Sequence, residues 1–500
     1  MTAAVLDRAC GVLLGTAAGD ALGAGYEFGS PLPRSAVVEM RGGGAFRWEP
    51  GEWTDDTAMA IAIAQVAAQG ADLRSSGAQD LVVRAWLDWA ETASDVGAQT
   101  RTVLSAVRRR ADDTDGLAQR ATEAAREHHD RTGRSGGNGS LMRTAPVALA
   151  YLDDELGLID AASRLSALTH YDPEAAEACV LWSLAIRHAV LTGEIDVRRG
   201  LPALAPDRAV VWARRFDDAE HCEPSHFEHN GWVVEALQGA WSAIRRTAVP
   251  VDAPHRGSFR VDHLRLSLEA AVRGGRDTDT VAAIAGGLLG AAYGASAVPA
   301  QWRRVLNGWP GLRARDLVEM AGRIVRRGAP DAFDFTYSGY RGIDALAPHP
   351  YDDGLLLGGI GALRTSQRNV DAVVSLCRVG DVDVPANAEL VDVRLVDREG
   401  AEHNPNLGFV LHDTAALIES LRREGRTVLL HCVQAHSRTP AVAAMYGMRT
   451  KGVSADQALD AVEAVLPHAR SIETFRAALR AAQPDRSFDS HPAAVDDESD

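Results

Sequence analysis

Lysine is almost missing from this chain: of 52 lysines and arginines, only Lys451 is a lysine, a bias that codon usage explains as well as any function. Cysteine is scarce too. Cys10, Cys179, Cys222, Cys377 and Cys432 are odd in number, scattered, and include no CxxC pair. That excludes a disulfide framework and a thiolate metal knuckle, and fits reduced thiols in a cytoplasm. Positive charge is also short. With a net charge of −16 the chain lacks the basic surface that nucleic-acid binding through phosphate neutralisation requires, so solubility accounts for the acidity. The opening MTAAVLDRACGVLLG has an early acid and no basic stretch, and does not read as a signal peptide. Residues 281–298 are uncharged and long enough to suggest a membrane span, but they are mostly Ala and Gly and follow directly on a cluster of acids. A buried helix is the better reading. The expectation is a cytoplasmic protein with neither a membrane nor a nucleic acid as partner.

What is present divides in two. Five hundred residues exceed what one core holds, and 46% hydrophobic content allows each of two domains a full interior. Through residue 328 the pattern is helical: TAMAIAIAQVAAQ, LVVRAWLDWAET and EACVLWSLAIRHAVL carry apolar residues at helical spacing between Gly, Asp and Pro breaks. The small residues predict close helix packing in one all-α domain, 1–328. Residues 329–347 are rich in Gly, Pro and aromatics and read as a linker or an extended cover strand. From 348 to 484, GLLLGGI, DAVVSLC, ELVDVRLV and RTVLLHC alternate with helical stretches, the signature of an α/β domain. The acidic tail, 485–500, lacks an apolar face and reads as disordered.

Two clusters carry chemistry in the first domain. Thr54-Asp55-Asp56 and Asp277-Thr278-Asp279-Thr280 each stand at the start of a small-residue helix. N-capping is one explanation, yet a cap needs one acceptor and each cluster supplies at least three. Were the fold to bring both together, the carboxylates would repel without a counter-charge. Oxygen-only ligands select a hard cation such as Mg²⁺, Mn²⁺ or Ca²⁺ over Zn²⁺. Spacing alone does not establish that the clusters meet. Elsewhere, Gly137-Asn138-Gly139-Ser140 forms a Gly-rich loop ahead of a helical run, suited either to receiving a pyrophosphate on backbone N–H groups or to a plain turn.

GVLLGTAAGDALGAGYEF, GEWTDDTAMAIAIA, SGGNGSLMRTAPVAL, THYDPEAA and GGRDTDTVAAIAGGLLGAAYG occur in that order. Together they resemble the ADP-ribosylglycohydrolase family over nearly all of residues 5–325. The resemblance implies an all-α fold and two Mg²⁺ or Mn²⁺ ions, with Thr54, Asp55 and Asp56 as ligands from one side and Asp277, Asp279 and Thr280 from the other. It also implies that Glu27 lies beside the metals and that His170 lines the ADP-ribose pocket. Asp95, in DVGAQT, resembles an element of arginine-directed members in which an acid faces the leaving guanidinium. The implied reaction removes ADP-ribose from a modified protein or small molecule.

In the second domain, RTVLLHCVQAHSRTPAVAAMYG reads strand, loop, helix, with five residues between Cys432 and Arg438. A loop at a helix N-terminus offers N–H donors and the positive end of a dipole, which bind phosphate and favour a thiolate. Arg438 adds a planar fork for a phosphoryl group, and Thr439 is placed to hydrogen-bond the cysteine sulfur. The segment resembles the dual-specificity and tyrosine phosphatases over about 348–480, which implies Asp397 as the leaving-group acid and a phosphoprotein as partner. One departure stands out: Ala435 occupies a position where that loop usually has Gly, which tolerates backbone angles that Ala resists. Two other readings stay open, a module that binds ADP-ribose and phosphoproteins without cleaving either, and a phosphatase with a regulatory helical domain.

Overall fold

The computed structural model describes residues 1–109, 116–329, 345–365, 370–380 and 383–483. Helices dominate the first domain, beside one short antiparallel pair at 307–308 and 312–313. Three of them position its site and are labelled α1 (Ala3–Gly23), α2 (Asp55–Ala67) and α3 (Thr278–Tyr293). Glycine sets how closely α1 and α3 approach. A Cβ on Gly15 would lie 2.3 Å from the Gly286 carbonyl oxygen, and one on Gly19 would lie 2.0 Å from that of Ala282. The two helices therefore pack backbone against backbone. Any side chain on that seam would push them apart, so the spacing of small residues along both helices is a packing code as well as a composition bias.

The uncharged run that tempts a membrane reading lies mostly in α3, which is buried along nearly all of its length. Among the described residues one helix, Pro173–Thr192, is long and apolar enough to cross a membrane, and 67% of its most apolar stretch is buried inside the fold.

The second domain is built on a five-stranded sheet: β1 (Leu346–His349), β2 (Asp352–Gly358), β3 (Ala372–Ser375), β4 (Glu389–Asp392) and β5 (Val428–His431). The order is β1-β2-β5-β3-β4, with β1 antiparallel to β2 and the other pairings parallel. Helices α4 (Leu407–Arg423) and α5 (Arg438–Lys451) follow β4 and β5. Strand β1 begins inside the segment read as linker. It carries Pro348, which a central strand would reject and an edge strand, paired on one side only, accepts. Most of that segment, 330–344, lies outside the described residues, as does the tail from 484.

The domains are joined by specific contacts. The Asp413 carboxylate accepts from the Ala300 N–H at 2.8 Å, the Asn406 amide donates to the Tyr293 carbonyl at 2.7 Å, and the rings of Phe259 and Phe409 meet edge to face at 5.7 Å. Buried apolar residues of both domains form one continuous cluster.

Candidate active sites

The close α1–α3 seam has a chemical consequence, because it delivers Asp20, near the end of α1, against the start of α3. One oxygen from each of Asp20, Asp56 and Asp279 lies within 4.8 Å of the other two, and the same holds for Glu27, Asp277 and Asp279. The two acid clusters of the sequence thus meet, with Asp279 common to both triplets. N-capping does not explain them. Neither Thr54 nor Asp277 caps its helix through the side chain. The start of α2 is held instead by Asp20, which accepts from the Thr54 N–H at 2.9 Å and the Thr57 N–H at 3.0 Å. The Thr54 hydroxyl donates to Asp56 at 3.0 Å.

Electrostatically this is an unstable crowd of acids. Burial, reinforced by neighbouring carboxylates, holds Asp55, Asp56 and Asp279 well above the usual carboxylate range, and burial raises Asp277 against hydrogen bonds that favour its charge. Burial, then the charges of Asp95, Asp277 and Asp20, push Glu27 up to about 8. Burial pushes Asp20 up to about 6 against the hydrogen bonds from Thr57 and Thr54 that favour its charge. Asp95, on the loop before helix Ala98–Arg109, is pushed up to about 6 by burial and by Asp277, and its own charge in turn raises Glu27 and Asp55. Asp56 Oδ1, Asp279 Oδ1 and Glu27 Oε2 are buried without a hydrogen-bond donor. Buried acceptors and like charges in this number are what a hard cation with oxygen ligands resolves.

The Gly-rich loop lies beside this cluster as a single 3₁₀ turn, Asn138–Ser140. The Asn138 N–H donates to the Gly231 carbonyl at 3.1 Å, so this N–H is already committed and not free for a phosphate as the sequence suggested. Its side-chain amide donates to Asp277 at 2.8 Å. Ser140 is buried, its hydroxyl accepting from Ser166 at 2.9 Å. His170, 3% exposed, lies directly behind the turn: a Cβ on Gly139 would come within 2.9 Å of its ring, and one on Gly137 within 3.2 Å. Its Nδ1 bonds the Thr169 hydroxyl at 2.7 Å.

Sequence reasoning missed Asp20 as a member of the cluster and Arg143 altogether. Arg143 is 1% exposed, donates to the Thr169 hydroxyl at 2.7 Å, and has its pKa lowered to about 9 by burial, with the Asp55 charge acting the other way. The signal available for both was a charged residue alone in an apolar helical run, as in GTAAGDALG and SLMRTAPVAL.

In the second domain Cys432, 1% exposed, follows β5, and Arg438 opens α5. Arg438 Nη1 donates to the carbonyls of Leu376 and Leu395, each at 3.1 Å. Its Nε lies 3.5 Å from the Asp397 carboxylate and has no hydrogen-bond acceptor. Loop arginine and expected acid are therefore brought together. Thr439 is fully buried, and its hydroxyl donates to the Gly358 carbonyl at 3.3 Å, a partner other than the cysteine sulfur the sequence suggested. Ala435 sits at φ +54°, in the left-handed region that favours glycine.

An all-α domain closing on a nest of acids defines a class. Residues 1–332 match the family model described as ADP-ribosylglycohydrolase, and the chain belongs to that family. Residues 362–484 match the model of the dual specificity phosphatase catalytic domain. Among relatives, the ADP-ribosylarginine hydrolase Tri1 of Pseudomonas putida (strain GB-1) is 30% identical over 305 residues, covering 59% of this chain and 73% of its own. The ADP-ribosyl-[dinitrogen reductase] glycohydrolase of Rhodospirillum rubrum is 29% identical over 315 residues, 61% of this chain and 91% of its own. The second domain is 34% identical over 109 residues to Protein phosphatase Slingshot homolog 3 of Homo sapiens, covering 22% of this chain and 16% of that protein.

Proposed function

We propose that the first domain removes ADP-ribose from arginine side chains of modified proteins, with two Mg²⁺ or Mn²⁺ ions held by Thr54, Asp55, Asp56, Asp277, Asp279 and Thr280, and with Asp20 as a further carboxylate. The observation that carries this reading is the convergence of buried acids whose protonation is favoured by burial and mutual repulsion, three of them with a buried oxygen that has no donor. The donor set suits the ions: all oxygen, mostly anionic, with hydroxyls between. Such ions, when bound, orient a ribose diol and a water and spread charge that develops at the anomeric carbon. The chain's own residues do the rest. Asn138 fixes the Asp277 carboxylate, Glu27 stands beside the cluster, and Asp95 stands close enough to feel Asp277, Glu27 and Asp55, where it would pair with a leaving guanidinium. The activity printed in the name of the Pseudomonas putida relative supports the arginine linkage.

For the second domain, Cys432 is the nucleophile, Arg438 grips the phosphoryl group and Asp397 protonates the leaving oxygen in a cysteine phosphatase reaction. The deciding experiment is a hydrolysis assay of the full chain on arginine-, serine- and nucleotide-linked ADP-ribose with and without Mg²⁺ or Mn²⁺. Arginine-linked substrate should be cleaved fastest and only with metal. Turnover that survives chelation would overturn the metal assignment, and a preference for the serine linkage would overturn the role of Asp95.

A further inference from the structure

Between the two domains lies a cavity of about 500 Å³, within the roughly 300–1,000 Å³ typical of small-molecule pockets. One wall is the phosphatase-like domain: Arg438, Asp397, Arg394 and Cys377. The facing wall is the glycohydrolase domain: Leu6, Asp7 and Cys10 on the first turns of α1, with Arg303, Arg315 and Val318 beyond. A chain of net charge −16 thus brings arginines from both domains to one chamber. Its carboxylates are partly engaged, Asp392 Oδ1 being buried without a donor. Asp7 accepts from the Ser296 N–H at 3.0 Å and hydroxyl at 2.6 Å, Asp392 accepts from Arg394 at 2.8 Å, and Asp397 faces Arg438.

One donor in this chamber is left over. Arg303 Nε is buried with no hydrogen-bond acceptor, although its guanidinium is anchored through the Asp392 carbonyl at 3.2 Å, whereas the buried Arg438 Nε has the Asp397 carboxylate at 3.5 Å as its ion-pair partner. A buried, unsatisfied guanidinium N–H is costly, and an oxyanion is its natural complement. Much of the remaining lining is apolar, including Leu6, Val318, Val393, Leu407 and Val410. Buried guanidinium groups among apolar side chains are the chemistry for a phosphoryl group carried on an apolar body. A phosphorylated side chain of a folded protein fits less well, because the surface of its carrier would have to come where α1 already stands.

We propose that this chamber is a ligand site completed by both domains, in which Arg303 and α1 of the glycohydrolase domain hold a small phosphomonoester with an apolar body whose phosphoryl group lies at the Cys432–Arg438 loop. The proposal rests on the phosphate-binding reading of that loop, goes beyond it in assigning a binding role to the first domain, and replaces the phosphoprotein expected from sequence with a small molecule.

The test is calorimetric titration of the full chain carrying Cys432→Ser, so that bound ester is not turned over, with 1-naphthyl phosphate, inorganic phosphate and a phosphotyrosyl peptide. Naphthyl phosphate avoids the nucleotide-like features that the ADP-ribose site would also recognise. It should bind at least about tenfold more tightly than inorganic phosphate and than the peptide. Arg303→Gln should weaken the naphthyl ester about fivefold or more and leave inorganic phosphate within about twofold. Leu6→Trp, which fills the chamber from the other wall, should abolish binding of the ester while sparing inorganic phosphate, with metal-dependent glycohydrolase turnover as the check on folding. A naphthyl ester that binds no better than inorganic phosphate, a peptide that binds as well as the ester, or native affinity in both variants overturns the chamber while leaving the phosphate loop standing. Failure of every phosphate compound to bind overturns the loop and the chamber together.

Discussion

Helix starts build both sites of this chain, and they do so with opposite charge. At α2 and α3 the first turns carry Asp55, Asp56 and Asp279, while α5 opens with Arg438. An acid at a helix N-terminus is favourable taken singly, because it faces N–H groups and the positive end of the dipole. Asp20 shows the favourable case, accepting from two N–H groups of α2. Adding Asp55, Asp56, Asp277, Asp279 and Glu27 around the same point goes past what two helix ends can neutralise, and every one of these acids is driven towards its protonated form. At α5 the arginine adds to the dipole instead of opposing it, so the deficit is of negative charge. On the proposed reading, the same backbone device suits a cation at one place and an oxyanion at the other, and side-chain charge decides which. Leu6 at the chamber and Asp20 at the acid nest lie on one helix, about 21 Å apart along its axis.

The comparison is broken most severely at the acid end. Asp56→Ala or Asp279→Ala should lower glycohydrolase turnover by about a thousandfold or more, since each removes a ligand from a shared centre. Circular dichroism should stay helical, and the metal-free protein should melt at a higher temperature than the native chain because one buried, crowded carboxylate is gone. Near-normal turnover in both variants, with metal still required, would mean that the acids hold no catalytic ion.

Asp95 tests the edge of the nest. Asp95→Ala should slow hydrolysis of arginine-linked ADP-ribose by about ten- to a hundredfold, the value of a lost charge-assisted pair. Binding of free ADP-ribose, which has no guanidinium, should change little. Equal losses in both measurements would assign Asp95 to the pocket's structure and not to the leaving group.

What the chain announces in advance follows from how far each feature depends on distant partners. The acid pairs are local, so TDD and DTD are visible as clusters at helix starts. Gly11, Gly15 and Gly19 repeat every four residues, which marks one helix face for close packing. Asp20 is different. Its value comes from lying across a seam from Asp279, and in sequence it is one acid in an apolar helix. The commitment of the Asn138 N–H was hidden for a similar reason, because its acceptor, Gly231, is supplied by a loop far along the chain. Strand β1 was legible only as one of two alternatives, because Pro348 is compatible with a strand only at an edge that the topology provides. The chamber was illegible altogether, since one wall is α1 and the other is made after residue 376.

A smaller, thermodynamic contrast sharpens the cation reading. Without a cation, burial and like charge push Glu27 up to about 8 and Asp20 and Asp95 up to about 6, all above the ordinary carboxyl value of about 4 in an unfolded chain. The folded state then binds more protons than the unfolded one across that window. Stability is fully present below about pH 4 and is lost as pH rises through 6 and 8. A bound cation takes over the role of those protons. Mn²⁺ or Mg²⁺ should raise the melting temperature strongly at pH 8 and little at pH 5, with stabilisation of about 2.7 kcal/mol once metal exceeds its Kd a hundredfold. A metal-induced shift that is the same at both pH values would remove the acid nest as its source.

The smallest expected effect lies at the arginine end, in a single backbone angle. Ala435 holds φ +54° in the phosphate loop, a conformation that costs a residue with a Cβ about 1–2 kcal/mol and costs glycine almost nothing. Ala435→Gly should relieve that strain. The gain is offset in part because glycine frees the unfolded chain, so the net rise in stability should be about 1 kcal/mol or less. Activity is the more telling readout. If strain at residue 435 misaligns the N–H groups that receive the phosphoryl oxygens, the glycine variant should hydrolyse an aryl phosphate several times faster than the native chain, through kcat and not through KM. Cys432→Ser should abolish that turnover in either background, which ties the rate to the loop. A variant that is more stable but no faster would show that the loop is correctly formed despite Ala435. The limit on turnover would then lie with the approach of Asp397, whose carboxylate faces Arg438 at 3.5 Å, and Asp397→Ala would slow esters with poor leaving groups more than activated aryl ones.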